Sequence, residues 1–191
     1  MIVGDCNLFA IESEISAVPA SSAQMALGFF IIHLGGRSFG VRAPDASMLG
    51  CSFNAVKNRR QRRGAHLMPM LTDIAAADIV DAFLDAIYRD TPRTDYFGQT
   101  QRTFVDALYA SGSTWAPDGD EAFDDGSHIL QFDVGNRVRI IAFVNAETPH
   151  ERHESIREAW MDADAFYATL SEWLAWSARE REAIAREAQR I

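Results

Sequence analysis

The stretch HILQFDVGNRVRIIAFVN (residues 128–145) decides the fold. In its first half, HILQFDV (128–134), Leu130, Phe132 and Val134 share one face of a strand. In its second half, RVRIIAFVN (137–145), Val138, Ile140 and Ala142 share a face. Gly135-Asn136 between them makes a two-residue turn, which joins antiparallel neighbours and sets their register. Downstream, ESIREAWM (154–161) alternates in the same sense and reads as a third strand of this meander. A helix stays open there, because Ile156 and Trp160 are also four residues apart.

Upstream of the hairpin, SGSTWAPDGDEAFDDGS (111–127) is rich in turn formers and acids and reads as an exposed loop. Helical spacing precedes it. A helix over 98–110 turns Phe104 and Leu108 inward and stops at Gly112. A longer one over 73–89 carries the stripe Ile79, Val80, Phe83, Leu84, Ile87. Leu49, Phe53 and Val56 mark a helix that runs into KNRRQRRG, with Gly64 placed to end it. The N-terminal part returns to strand spacing: Phe9, Ile11, Ser13 and Ile15 alternate with polar or small residues. LGFFIIHL (27–34) is apolar on both faces, Gly35-Gly36 supplies a tight turn, and RSFGV (37–41) returns. At the other end, Asp162 caps a helix with the stripe Phe166, Leu170, Trp173, Leu174, followed by a charged tail. Strands, helices, strands, helix, without βαβ alternation, predict an α+β fold. It is an antiparallel sheet built from two strand meanders with helices packed on it, in a single domain spanning 1–191.

The 191 residues carry 27 acids against 18 bases, a net charge of −9. A duplex-binding protein needs a basic face to neutralise phosphates, so this balance argues against nucleic acid and for a positively charged partner. The longest apolar run, Met25 to Ile32, is far short of a membrane span. With Asp5 where a leader would carry cations, the chain is expected to be cytoplasmic. Two cysteines, Cys6 and Cys51, make no disulfide framework.

No nucleophile elbow, phosphate loop, dinucleotide fingerprint or zinc-deaminase pattern occurs, so no catalytic residue, metal or cofactor is expected. Glu12 and Glu14 share a strand face and could pair for acid–base work, but alternation makes that the solvent face. His150 and His153, among Glu147, Glu151 and Glu154, are three apart rather than four and read as a solvated turn. Five cations crowd residues 57–63 (Lys57, Arg59, Arg60, Arg62, Arg63) without an interleaved aromatic for base stacking. Pairing with the protein's own acids is the simpler reading. The acidic loop is the candidate partner site. Asp118, Asp120, Glu121, Asp124 and Asp125 lie between Trp115 and Phe123, which reads as an acidic rim around aromatic anchors for a basic partner. A small hydrolase using Glu12/Glu14 or the His150 region, and a nucleic-acid binder using Lys57–Arg63, remain open alternatives.

Three segments carry a family resemblance: GDCNLFAIESEI (4–15), RAPDASMLGCSFNAVKNRRQRRGAH (42–66) and AWMDADAFYATLSEWL (159–174). They resemble the bacterial immunity protein 42 family, whose members accompany polymorphic toxins and protect the producing cell. The resemblance implies a stoichiometric inhibitor without catalysis whose partner is a cognate toxin domain. Charge suggests that the toxin is basic, as a nuclease would be. The resemblance carries no residue-level contact map and no oligomeric state.

Overall fold

The 128–145 hairpin forms in the register its turn requires. The computed structural model describes residues 1–17, 26–115 and 121–188. In it β6 (Ser127–Val134) pairs antiparallel with β7 (Arg137–Val144), with Val134 opposite Arg137 across the turn. Gly135 takes φ +59°, a value that a residue with a Cβ adopts only with strain. The third strand is real: β8 (Arg157–Asp162) pairs with β7, so the order is β6-β7-β8.

The N-terminal meander is a separate sheet. β1 (Ile2–Asp5), β2 (Phe9–Ala17), β3 (Leu27–Leu34) and β4 (Arg37–Phe39) follow in order, and β5 (Ser47–Met48) pairs with the start of β3. Strands β1 and β5 are too short to show a period in the sequence. The Gly35-Gly36 turn has φ +56° and +77°, as a two-residue hairpin with positive φ at both positions demands.

Among the described residues five α-helices pack with these sheets: α1 (Leu49–Gln61), α2 (Ala76–Ile87), α3 (Gln101–Ser111), α4 (Pro149–Ser155) and α5 (Ala163–Ala188). Their ends follow local chemistry. Thr100 accepts a hydrogen bond from Thr103 N–H to open α3, and Gly112 at φ +60° closes it. Asp162 accepts from Ala165 N–H at 3.1 Å and opens α5. Helix α2 starts at Ala76 rather than 73. The carbonyls of Leu71, Thr72 and Ile74 are taken instead by the buried Arg139 guanidinium on β7.

Helix α4 corrects the sequence reading of 149–155 as a solvated turn. Thr148 caps it by accepting from Glu151 N–H, and its hydroxyl donates back to the Glu151 carboxylate at 2.7 Å. Pro149 occupies the first turn, where no donor is missed. The inward side is held by Arg152, 4% exposed, whose guanidinium reaches Asp81 on α2 at 3.1 Å.

Two apolar clusters result, one on each face of the β6-β7-β8 sheet. Phe9, Ile11, Phe30 and Ile32 of the N-terminal sheet share a cluster with Ile129, Val138 and Ile140 of the other, and α1 and α5 pack on the same cluster. Helix α5 contributes Phe166, Leu170 and Trp173, and the Trp173 indole N–H donates to buried Ser13 Oγ at 2.8 Å. The opposite face carries Leu130, Phe132, Ile141 and Phe143, covered by α2 and α3. Strand β7 is therefore buried on both faces, which is why its apolar run is continuous.

Candidate partner-binding surface

The basic run splits as it leaves α1. Lys57, Arg60, Arg62 and Arg63 are exposed, whereas Arg59 is 6% exposed and points inward. Register explains what it meets. Gln131 and Asp133 share the face of β6 that carries Ile129, so both polar side chains enter the first cluster beside α1 and α5. Arg59 donates to Gln131 Oε1 at 3.0 Å and to the Thr114 carbonyl at 2.7 Å, with its guanidinium 4.6 Å above the Trp115 ring. Gln131 Nε2 passes the network to Asp133 and Tyr167. The Asp133 carboxylate also accepts from the Tyr167 hydroxyl at 2.9 Å and from Gly64 and His66 N–H. Burial lowers the Arg59 guanidinium to about 10, which still leaves it charged at neutral pH. Burial, then the Asp133 charge, raises the Tyr167 hydroxyl, and burial with Arg59 nearby lowers the His66 imidazole.

The rest of the run is partly committed. Arg63 pairs with Asp164 at 2.5 Å and Arg62 donates to the Ala110 carbonyl at 2.8 Å. The reading of self-pairing holds for Arg63. For Arg59 the neutralising acid is Asp133, reached through Gln131.

The acidic segment also divides. Asp118 and Asp120 lie outside the described residues. Trp115, at 3%, and Phe123, at 8% exposure, are core residues and correct the reading of them as surface anchors. Trp115 packs in the first cluster, tilted against Phe9 and edge-on to Phe166, and Phe123 meets Phe30 edge-on. The 3-10 turn Glu121–Phe123 buries Ala122 and Phe123, and the Ala122 carbonyl accepts from Val41 N–H at 2.8 Å. Asp125 is exposed, but its carboxylate ties Gly40 N–H at 3.1 Å and Ser127 N–H at 3.0 Å. Glu121 and Asp124 are exposed on this pinned backbone.

Several residues of the catalytic alternatives are engaged in ion pairs. Glu12 is clamped by Arg42 through two contacts of 2.5 and 2.6 Å, and His33 Nε2 lies 2.8 Å away. The Arg42 hydrogen bond holds the Glu12 carboxyl down at about 2, so it is a permanent anion rather than a proton donor near neutrality. His150 pairs with Glu154 at 3.3 Å and His153 with Asp81 at 2.9 Å. Among the described residues no group of three or more His, Cys, Asp or Glu is arranged to hold a metal ion.

Sequence reasoning missed the Arg59–Gln131–Asp133–Tyr167 network. Its signal was present: the hairpin register puts Gln131 opposite Ile140 and Asp133 opposite Val138, both apolar. It also missed a groove between α1 and α5, lined by Met48, Phe53, Lys57 and Arg181 among others. No helix among the described residues is long and apolar enough to cross a membrane.

Comparisons with known proteins agree with the three-segment resemblance. The family model described as Immunity protein 42 matches residues 1–176. A search of curated proteins finds no match. Among solved structures, the chain is similar to CdiI from Burkholderia dolosa AUO158. The TM-score is 0.59 at 15% sequence identity, over 92% of this chain and 99% of that one. At that identity the likeness is one of fold. The match over 1–176 shows that the chain belongs to the immunity protein 42 family, and its function is that of an immunity protein, the neutralisation of a bacterial toxin.

Proposed function

We propose that the chain acts in the cytoplasm as a stoichiometric inhibitor without chemistry of its own. It docks a basic face of its cognate toxin domain on the acidic segment around Glu121 and Asp124, extended by Asp118 and Asp120. The observation that carries this reading is the anchoring of that segment. Ala122 and Phe123 are buried and Asp125 is tied to Gly40, so the neighbouring carboxylates are presented on backbone that is already ordered. Ordering a recognition segment in advance reduces the entropy lost on binding. A toxin that acts on nucleic acid carries a basic cleft, and an acidic inhibitor covers such a cleft by charge complementarity. Removing the five cations of 57–63 from a net charge of −9 leaves −14 for the other residues, a field that speeds encounter with a cationic surface.

The test is co-expression with the toxin domain encoded beside this gene. Growth is restored and the two chains co-purify in a fixed ratio if the reading is right. Loss of both outcomes overturns it. With the purified pair, Glu121→Lys/Asp124→Lys lowers the association rate several-fold, and the deficit shrinks as salt is raised. An unchanged rate removes this segment from the interface.

A further inference from the structure

Beside the acidic segment lies a surface of opposite sign. Helices α1 and α5 run side by side, and a groove of about 470 Å³ opens between them. Met48, Cys51, Phe53, Asn54, Lys57 and Arg181 line it. Its lining is mixed: Asn54, Lys57 and Arg181 are polar, the half-buried Phe53 ring carries the Arg181 guanidinium 4.0 Å above its centroid, and Met48 is 40% exposed at the rim.

The charge in this groove is uncompensated. Elsewhere Arg42 is matched by Glu12, Arg63 by Asp164, Arg139 by Glu158 and Arg152 by Asp81. Arg60 and Arg62, like the two groove cations, have no carboxylate within ion-pair distance among the described residues but do not line this groove. Lys57 and Arg181 have no carboxylate partner among the described residues, and the solvent-shielded Arg181 Nε has no acceptor. A shielded donor without an acceptor costs free energy, and an incoming oxygen recovers it. In a chain of 27 acids and 18 bases, two cations left facing one opening mark a place for a carboxylate from outside. The guanidinium is already oriented by its stacking on Phe53, which favours the geometry-dependent pairing that arginine makes with carboxylates.

Position ties the groove to the acidic segment. The 3-10 turn Glu121–Phe123 packs against β5, and Met48 of β5 forms the near wall of the groove. Arg181, on the far wall, lies beyond residue 176, where the family match ends. That wall is outside the span shared with the family, where a pair-specific contact is most free to vary.

We infer that the α1–α5 groove is the second half of the toxin-docking surface and takes an acidic segment of the toxin domain, a carboxylate next to an apolar side chain. The carboxylate bridges Lys57 and Arg181 while its apolar neighbour covers Met48 and Phe53. The toxin's cations meet Glu121 and Asp124 across β5. Opposite charges side by side set the orientation of the partner and reject toxins with the reverse pattern. This inference rests on the toxin-docking reading above.

The chain's single lysine makes the test direct. A carbodiimide, which joins an amine to a carboxylate at zero length, is applied to the complex of the wild-type protein with its toxin domain. The expected product links Lys57 to an aspartate or glutamate of the toxin. In parallel, Lys57→Glu/Arg181→Gln raises Kd at least tenfold. Wild-type affinity in that variant, or a wild-type complex with no link at Lys57, overturns the groove while leaving the acidic segment standing. A link from Lys57 to a second copy of this chain assigns the groove to self-association and overturns it as well. Absence of any binding by the wild-type protein overturns both readings together.

Discussion

Two runs of like charge lie in this chain, Lys57–Arg63 and Asp118–Asp125, and folding treats them differently. The basic run sits on the last turns of α1, so its members point in different directions around the helix. Arg59 enters the core, Arg63 reaches Asp164, and Lys57 faces the α1–α5 groove. The described part of the acidic run, Glu121–Asp125, holds only the 3-10 turn Glu121–Phe123. It is pinned at Ala122, Phe123 and Asp125, and Glu121 and Asp124 are left in solvent. The helix-end run thus sends Arg59 into the core and keeps its other four cations exposed, whereas the described acids of the tethered segment all stay at the surface. Local charge density in a sequence becomes surface charge only where the backbone does not turn it inward.

The largest expected effect is on the inward arm of the basic run. Arg59→Met leaves Gln131 Oε1 and the Thr114 carbonyl without a donor and the buried Asp133 without its counter-charge. Unfolding in urea should show a loss of about 3–5 kcal/mol. If stability is unchanged, Arg59 is not the core residue described above. Tyr167→Phe removes one donor to Asp133 while keeping the ring, so about 1–3 kcal/mol is expected in the same measurement.

Asp125→Ala tests the tether of the acidic run. It frees Gly40 N–H from an exposed hydrogen bond and Ser127 N–H in a buried residue, so about 1–2 kcal/mol is lost. Glu12, outside both runs, calibrates a clamped surface acid through pH. Its folded value, about 2, lies below the ordinary 4.5, so its contribution is complete above pH 4.5 and disappears as pH falls toward 2. The Tm difference between wild type and Glu12→Gln should shrink over that window and stay constant above it. The smallest stability effect belongs to Glu121→Lys/Asp124→Lys, within about 0.5 kcal/mol of wild type. That double variant separates the two runs: it should alter toxin association without altering the fold, whereas Arg59→Met should do the reverse.

Much of the architecture was legible because it rests on short-range rules. Gly135-Asn136 and Gly35-Gly36 announced hairpins, Asp162 announced the start of α5, and Gly112 announced the end of α3. Each acts within a few residues. The Thr148–Glu151 cap obeys the same kind of rule, and it was obscured by the histidines and glutamates around it, which resemble a solvated turn. The candidate site was less legible. Trp115 and Phe123 look like interface anchors beside acids, and only the packing of Phe9, Phe30 and Phe166 around them makes them core. The cationic groove could not be read at all, since Lys57 and Arg181 are 124 positions apart in sequence.

By itself, then, the sequence determined the longer secondary elements, the antiparallel pairing of the hairpin strands, the acidic balance and the family. Those follow from periodicity, turn chemistry and composition, all of which act locally or sum over the chain. The tertiary structure alone decided that the meanders form two sheets sharing one core with α1 and α5, and that Arg59 serves the interior. It also decided that an acidic segment and a cationic groove lie on either side of β5. Those outcomes depend on which distant faces meet, and burial and desolvation settle them only when the layers are assembled.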